Sequence, residues 1–232
     1  MAKFIYRGHL LGSMAGKEQL TRVLVTGMTG FIGSHLVDLL LKKHVDIYGT
    51  AQDLKSAEMR NIAHVRNRLK LIQCDGRDRK NVERTVGRIR PERIFHLAAQ
   101  AYVIPSWKDP ATTFETNVCG TINLFEAVRK ADIDPSIIVS CSSAEYGLVN
   151  KPPFKETDLL MPVSPYGVSK AAQDMLGYQY FANYGMKIAR ARIFNTTGAR
   201  KIGDVFADFA VQIAKIEKGE QRPVLSVGNL ET

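Results

Sequence analysis

Val23-Leu24-Val25-Thr26-Gly27-Met28-Thr29-Gly30-Phe31-Ile32-Gly33-Ser34-His35-Leu36 reads as an apolar, β-branched strand, a glycine-spaced turn and the start of a helix. Gly27 permits the tight turn, Gly30 lets a pyrophosphate approach the backbone, and Gly33 lets the helix pack close on the strand. The free N–H groups and dipole of the helix start then meet phosphate charge. Gly27, Thr29, Gly30, Phe31, Ile32 and Gly33 are therefore the candidate binding residues of this turn. Glycines at this spacing also occur in ordinary strand-to-helix turns. Here both the strand before and the helix after are present, as a phosphate-binding turn demands.

Outward from that turn the chain alternates. Short β-branched runs at Arg22–Thr26, Val45–Ala51, Leu69–Cys74, Arg93–Ala98, Ser136–Cys141 and Lys187–Ile193 are separated by helix-length amphipathic segments. This predicts an α/β fold: a Rossmann-type, doubly wound parallel sheet with helices on both faces and ligands at the carboxyl ends of its strands. The longest irregular stretch, Gly147–Val163, is rich in proline and charge and is expected to cover a site.

With 232 residues, 45% of them apolar, the chain can bury one full core and part of a second. No apolar run is long enough to span a bilayer, and the first twenty residues hold no sustained hydrophobic segment, so no membrane partner and a cytoplasmic location are expected. Gly12-Ser13-Met14 looks like a cloning junction, which makes 1–20 an N-terminal extension or tag. Cys74, Cys119 and Cys141 read as reduced core residues, neither a disulfide frame nor a metal site. Much of the net charge of +9 lies between Arg60 and Arg93. Without aromatic interleaving or a binding motif, it reads as a solvated helix face with a bias towards anionic ligands, and no nucleic-acid partner is expected.

Ser164-Pro165-Tyr166-Gly167-Val168-Ser169-Lys170 opens a further helix, with serine and proline as its start signals. Tyr166 and Lys170 stand four apart, so phenol and ammonium share a face. A cation near a phenol favours the phenolate and readies the tyrosine for acid–base work. Most such pairs are only surface contacts. Together with the Gly-x-x-Gly-x-x-Gly turn, however, this motif resembles the extended short-chain dehydrogenase/reductase family over roughly residues 22 to 230.

The resemblance implies a nicotinamide cofactor, NADP or NAD undecided, bound by a domain over 21–200, with 201–232 beginning a truncated substrate-binding domain. Gln52 and Asp53 follow the second strand, where the family reads the adenosine ribose; Asp53 would suit NAD, and Lys55 or Arg60 would suit NADP. Asp75, with Gly76, matches the acidic residue that accepts from the adenine amino group, although helix capping is the alternative and Asp78 also fits that role. Leu97, Ala98, Ala99 and Gln100 would run beside the cofactor, and Asn117 resembles the buried helix asparagine that shapes the site. His96 reads as a buried structural histidine, not a metal ligand; no metal is expected.

Ser142, in Val139-Ser140-Cys141-Ser142-Ser143-Ala144-Glu145-Tyr146-Gly147, matches the family's catalytic serine or threonine. It would hydrogen-bond the oxygen that switches between hydroxyl and carbonyl while Tyr166 moves that oxygen's proton and Lys170 holds the nicotinamide ribose. Family 4,6-dehydratases carry a glutamate two residues after the serine or threonine as an extra base. Here that place is Ala144, and Glu145 is one residue on, where a side chain would point elsewhere. Reduction of a 4-keto group, or epimerisation at C4, is therefore expected ahead of dehydration.

Wording such as Arg192-Ile193-Phe194-Asn195-Thr196-Thr197-Gly198 and Pro223-Val224-Leu225-Ser226-Val227-Gly228-Asn229-Leu230-Glu231 resembles the GDP-mannose branch, which implies a nucleotide-diphosphate sugar, GDP-linked, as substrate. Ser143, Asn195, Arg200 and Arg222 are its candidate contacts, the arginines for phosphate. Thr196 and Ala199 depart from the branch's usual histidine and proline. The resemblance also implies a homodimer through helices at about Ala111–Lys130 and Pro165–Tyr184. Phe125, Val128, Met175, Leu176 and Tyr180 would face either the partner or the monomer's own core. A cofactor-binding protein without turnover is the alternative from another class.

Overall fold

The structure, a computed structural model, describes residues 20–55, 57–148 and 152–228. The expected extension over 1–20, with Gly12-Ser13-Met14, lies outside the described residues except for Leu20, as do 229–232 of the expected substrate domain.

Six parallel strands form one sheet in the order β3-β2-β1-β4-β5-β6. They are β1 (Thr21–Thr26), β2 (Val45–Ala51), β3 (Lys70–Gln73), β4 (Arg93–His96), β5 (Ser136–Ser142) and β6 (Ile188–Ile193). Side chains alternate across β1: Leu24 enters one core with Val86, Ile94, Leu124, Phe125 and Val139, while Val23 and Val25 enter the other with Val37, Ile47 and Ile62. Helices α2 (Arg79–Ile89), α5 (Gly120–Lys130) and α6 (Pro165–Tyr184) cover the first face; α1 (Phe31–Leu40) and a 3-10 segment at Ala57–Arg68 cover the second. The strand order reverses between β1 and β4, and the glycine turn opens at that crevice.

Several boundaries moved for identifiable reasons. β4 ends at His96, not Ala98: the Leu97 N–H is shared between the Thr26 carbonyl at 3.3 Å and the Thr26 hydroxyl oxygen at 3.1 Å, and the Ala98 N–H goes to the same hydroxyl at 3.2 Å, which draws the chain out of the ladder. The helix expected over Ala111–Lys130 is a rod of three parts: α4 (Pro110–Phe114), a widened π turn at Glu115–Cys119, and α5. A short helix, α3 (Val103–Lys108), precedes it. α6 begins and ends where its signals place it, with Ser164 Oγ accepting from Gly167 N at 3.0 Å and Gly185 in the left-handed conformation at its end.

Several of the basic residues in the Arg60–Arg93 region are engaged along the surface. Arg79 pairs with Glu83 at 3.0 Å and Lys70 with Asp46 at 2.7 Å, while Arg90 donates to Ala131 O at 2.8 Å. Cys74 and Cys141 are buried, but Cys119 is exposed, because the π turn rotates it off the core face. Phe125, Val128 and Tyr180 belong to the monomer's core, with Leu176 packed against it; Met175 is 59% exposed. None of the residues of α7 (Val205–Glu217) is buried. Among the described residues no helix is long and apolar enough to cross a membrane.

Candidate active site

The turn after β1 is built by steric exclusion. Gly27 has φ +68°, and a Cβ there would lie 2.7 Å from Ala98 N, so only glycine lets this turn meet the end of β4. A Cβ on Gly33 would lie 2.3 Å from Gly27 O, which seats α1 against the turn. A Cβ on Gly30 would meet only Gly27 O, at 3.4 Å, so the space above it is free for a ligand. Gly30 is the N-cap of α1 and caps with no side chain, leaving the first N–H groups of the helix to an outside acceptor. That donor set fits the pyrophosphate of a dinucleotide. Thr29 is buried and its carbonyl accepts from Asn61 Nδ2 at 2.8 Å; Phe31 stands edge-on to His35, and Ile32 is exposed.

A buried chain of hydroxyls supports this floor. The Thr121 hydroxyl donates to Asn117 O at 2.6 Å, so it must accept from His96 Nε2 at 3.0 Å. His96 Nδ1 is then the acceptor for the Thr26 hydroxyl at 2.9 Å. Burial holds His96 down at a pKa of about 3, so it stays neutral, in the structural role expected of it.

On the adenosine side, Gln52 Nε2 donates to Asp75 at 3.1 Å, and Asp53 accepts from Lys55 N at 2.8 Å. Arg77 grips the Asp75 carboxylate, at 2.7 Å through Nη2, and holds it below the usual carboxylate range. Asp78, not Asp75, caps α2. Gly76 O accepts from Asn123 Nδ2 at 2.8 Å. Leu97, Ala98, Ala99 and Gln100 form the half-buried chain leaving β4. Asn117, on the π turn, accepts from Gln100 N at 2.8 Å and donates to Gln100 O at 3.1 Å and Ser169 Oγ at 2.9 Å. One amide thus ties the β4 exit to the tyrosine's helix.

Ser142, Tyr166 and Lys170 converge at the end of β5. The Ser142 hydroxyl lies beside the Tyr166 phenol, where it partly offsets the effect of burial on that phenol, and accepts from Ala144 N at 3.2 Å. Ser106 Oγ on α3 accepts from Tyr166 N at 3.1 Å, pinning the start of α6. Lys170 is 2% exposed, donates to Ser140 O at 2.8 Å, and its ammonium lies 5.9 Å from the centre of the Tyr166 ring. The expected bias towards phenolate is not what this geometry produces. Burial raises Tyr166 and lowers Lys170 to about 8, and for each group desolvation is the largest cause.

Of the candidate substrate contacts, Ser143 is half-buried beside Ser142, and Asn195 and Arg222 are exposed. Arg200 Nη2 is taken by Asp38 on α1 at 2.6 Å. Sequence reasoning missed the partners behind Ser142. Glu145 does not point to the site: it is fully buried, accepts from Ser142 N at 2.7 Å, and lies against Arg192 and Asp174. Arg192 Nε binds Asp174 at 2.9 Å and Nη1 donates to Tyr146 Oη at 3.1 Å and to Glu156 O at 3.0 Å. One signal was available: Asp174 falls four residues after Lys170, and Arg190 and Arg192 alternate on one face of β6.

A family model described as GDP-mannose 4,6 dehydratase matches residues 24–232. Among curated relatives, a GDP-mannose 4,6-dehydratase of Vibrio cholerae is 29% identical over 90% of this chain and 59% of its own length. A GDP-6-deoxy-D-mannose reductase of Pseudomonas aeruginosa is 31% identical, over 90% and 64%. A UDP-glucose 4-epimerase of Lacticaseibacillus casei is 33% identical, over 80% and 55%. Among solved structures, the Thermus thermophilus UDP-glucose 4-epimerase in complex with NAD superposes with a TM-score of 0.76 at 34% identity, covering 86% of this chain and 63% of that one. RMD from Pseudomonas aeruginosa, complexed with NADPH, gives 0.74 at 28% identity, covering 91% and 65%. The chain spans about three fifths of the length of the curated relatives it matches.

Proposed function

The chain belongs to the GDP-mannose 4,6-dehydratase family, within the extended short-chain dehydrogenase/reductases, and on that premise we propose that the protein reduces the 4-keto group of a GDP-linked 4-keto-6-deoxyhexose with NADPH or NADH. The observation that carries this reading is the pair Ala144 and Glu145. Dehydration needs a base to take the C5 proton; Ala144 has none, and the Glu145 carboxyl is turned away into the core. Bound NADPH or NADH supplies the hydride to C4. Tyr166 would give its phenolic proton to the C4 oxygen, Ser142 would donate a hydrogen bond to the same oxygen, and Lys170, which donates to Ser140 O, would hold the cofactor's ribose. Ser143, Asn195, Arg200 and Arg222 are proposed to meet the sugar nucleotide.

A 4-epimerase is the second reading, favoured by the same lack of an extra base and by the epimerase relatives. The full-length protein is to be given GDP-mannose alone, then GDP-4-keto-6-deoxymannose with NADPH, then UDP-glucose with NAD. Loss of NADPH absorbance with the keto sugar supports reduction. A 4-keto product from GDP-mannose alone contradicts it, and UDP-galactose from UDP-glucose selects the epimerase. Conversion of none leaves a cofactor-binding protein. The proposal includes cytoplasmic residence and a homodimer through α6, whose exposed Val168, Met175 and Tyr178 are available to a second copy. A monomeric mass by light scattering contradicts the dimer.

A further inference from the structure

The capping serine at the end of β5 is held from behind. Ser142 is extended, at φ −150° and ψ 146°, and the chain then turns into a short 3-10 segment, Ser143–Glu145. Glu145 folds back so that one carboxyl oxygen accepts Ser142 N–H at 2.7 Å, while Ser142 Oγ accepts Ala144 N–H at 3.2 Å. With its backbone held on one side and its hydroxyl on the other, Ser142 has one orientation, and that orientation faces the Tyr166 phenol.

The other Glu145 oxygen has no hydrogen-bond partner, although it is fully buried. Arg192 Nε reaches it only at 3.5 Å, because the same guanidinium is committed to Asp174, Tyr146 and the Glu156 carbonyl. Asp174 also takes Arg190, at 2.5 Å, and its carboxylate lies within 4.8 Å of that of Glu145. The groups that face Glu145 are thus Asp174, Lys170 and Tyr166 on α6, Arg192 on β6 and Cys141 on β5, with Arg190 reaching the cluster through Asp174. Asp174 has the better share of the two arginines. Glu145, buried and facing Asp174, is pushed up to about 7, so its charge changes in the physiological range. When ionised, that charge opposes the phenolate at Tyr166.

We propose that Glu145 is a positioning residue, fixing Ser142 through its backbone N–H and placing a switchable charge behind the Tyr166 phenol. This rests on the reading of Ser142 and Tyr166 as the reacting pair. A carboxyl in this place also makes the chemistry pH-sensitive without touching substrate: below the Glu145 transition the neutral acid still accepts from Ser142, and the opposition to the phenolate is gone.

The test uses the full-length protein labelled with Cζ-13C tyrosine, with Y166F to assign the resonance, and the variants E145Q and E145L. The amide of E145Q keeps the acceptor and removes the charge; E145L removes both. Tyr166 in E145Q is expected to titrate at lower pH than in the wild type. In NADPH-dependent reduction, E145Q is expected to retain most of kcat but lose the pH dependence near 7. E145L is expected to lose roughly tenfold in kcat, the cost of one lost hydrogen bond, with NADPH affinity unchanged. An unmoved Tyr166 titration in E145Q, or wild-type kcat in E145L, overturns the proposal. The titration needs no substrate, so it decides even if no sugar nucleotide is turned over or E145L does not fold.

Discussion

At the scale of single residues, desolvation governs the site. Tyr166 and Lys170 were readable as a pair from their spacing, but their charge states were not, because burial depends on what the fold places around them. Lys170 at about 8 is still largely protonated at neutral pH, and its ammonium is held by a carbonyl rather than by a carboxylate. In the proposed reduction Tyr166 would act as a neutral acid, which suits proton delivery to a 4-keto oxygen. Y166F is therefore expected to lower kcat by about 10² to 10⁴ with NADPH affinity unchanged, as stopped-flow absorbance and fluorescence titration would show. That Glu145 points away from the site was readable, but its burial and its partners were not, for the complementary reason. A glutamate beside a turn reads as exposed, and only the three-dimensional meeting of Asp174, Arg190 and Arg192 gives it a buried place.

At the scale of elements, the strand pattern and the α6 start signals were legible because they are local. Val23 and Leu24 divide between two cores as period-two alternation demands, and Ser164-Pro165 begins a helix as capping chemistry demands. The π turn was not legible: one extra residue in a helical turn leaves the apolar spacing of Glu115–Cys119 almost unaltered while it rotates Cys119 to solvent and Asn117 into the site. The exit of β4 was misjudged by two residues because the Thr26 side chain, not a further backbone rung, takes the Ala98 N–H and shares that of Leu97 with the Thr26 carbonyl. The glycine turn makes a prediction at this scale. Gly33→Ala puts a methyl 2.3 Å from Gly27 O, so α1 must shift away from the turn. NADPH affinity is expected to fall at least about tenfold, more than 1.4 kcal/mol, measured by fluorescence titration; wild-type affinity would contradict the assignment of this turn.

At the scale of the whole molecule, a six-stranded sheet brings the turn after β1, the exit of β4 and the end of β5 to one edge; alternation implied a doubly wound parallel sheet, but the strand order itself came only with the structure, because more than one order satisfies the same alternation. Stability should carry the mark of Glu145. Its folded value of about 7 lies above the ordinary 4.5, so between those two values the folded chain holds a proton the unfolded chain has released. Stability therefore falls as pH rises from about 4.5 to 7, by at most ~3.5 kcal/mol from this group. E145Q, which has no proton to lose, is expected to be more stable than the wild type at pH 8 and to show a flatter pH dependence in urea unfolding. The central claim, that Ser142, Tyr166 and Lys170 work on a cofactor laid across the glycine turn, is tested most directly by a crystal structure of the full-length protein with NADP and a GDP-sugar bound. The account predicts the pyrophosphate on the N–H groups of the Gly30–Gly33 turn, Lys170 moved from Ser140 O to the nicotinamide ribose, and both Ser142 Oγ and Tyr166 Oη within hydrogen-bond reach of the sugar's C4 oxygen. A nicotinamide ring bound elsewhere, or a C4 oxygen met by neither hydroxyl, would contradict it.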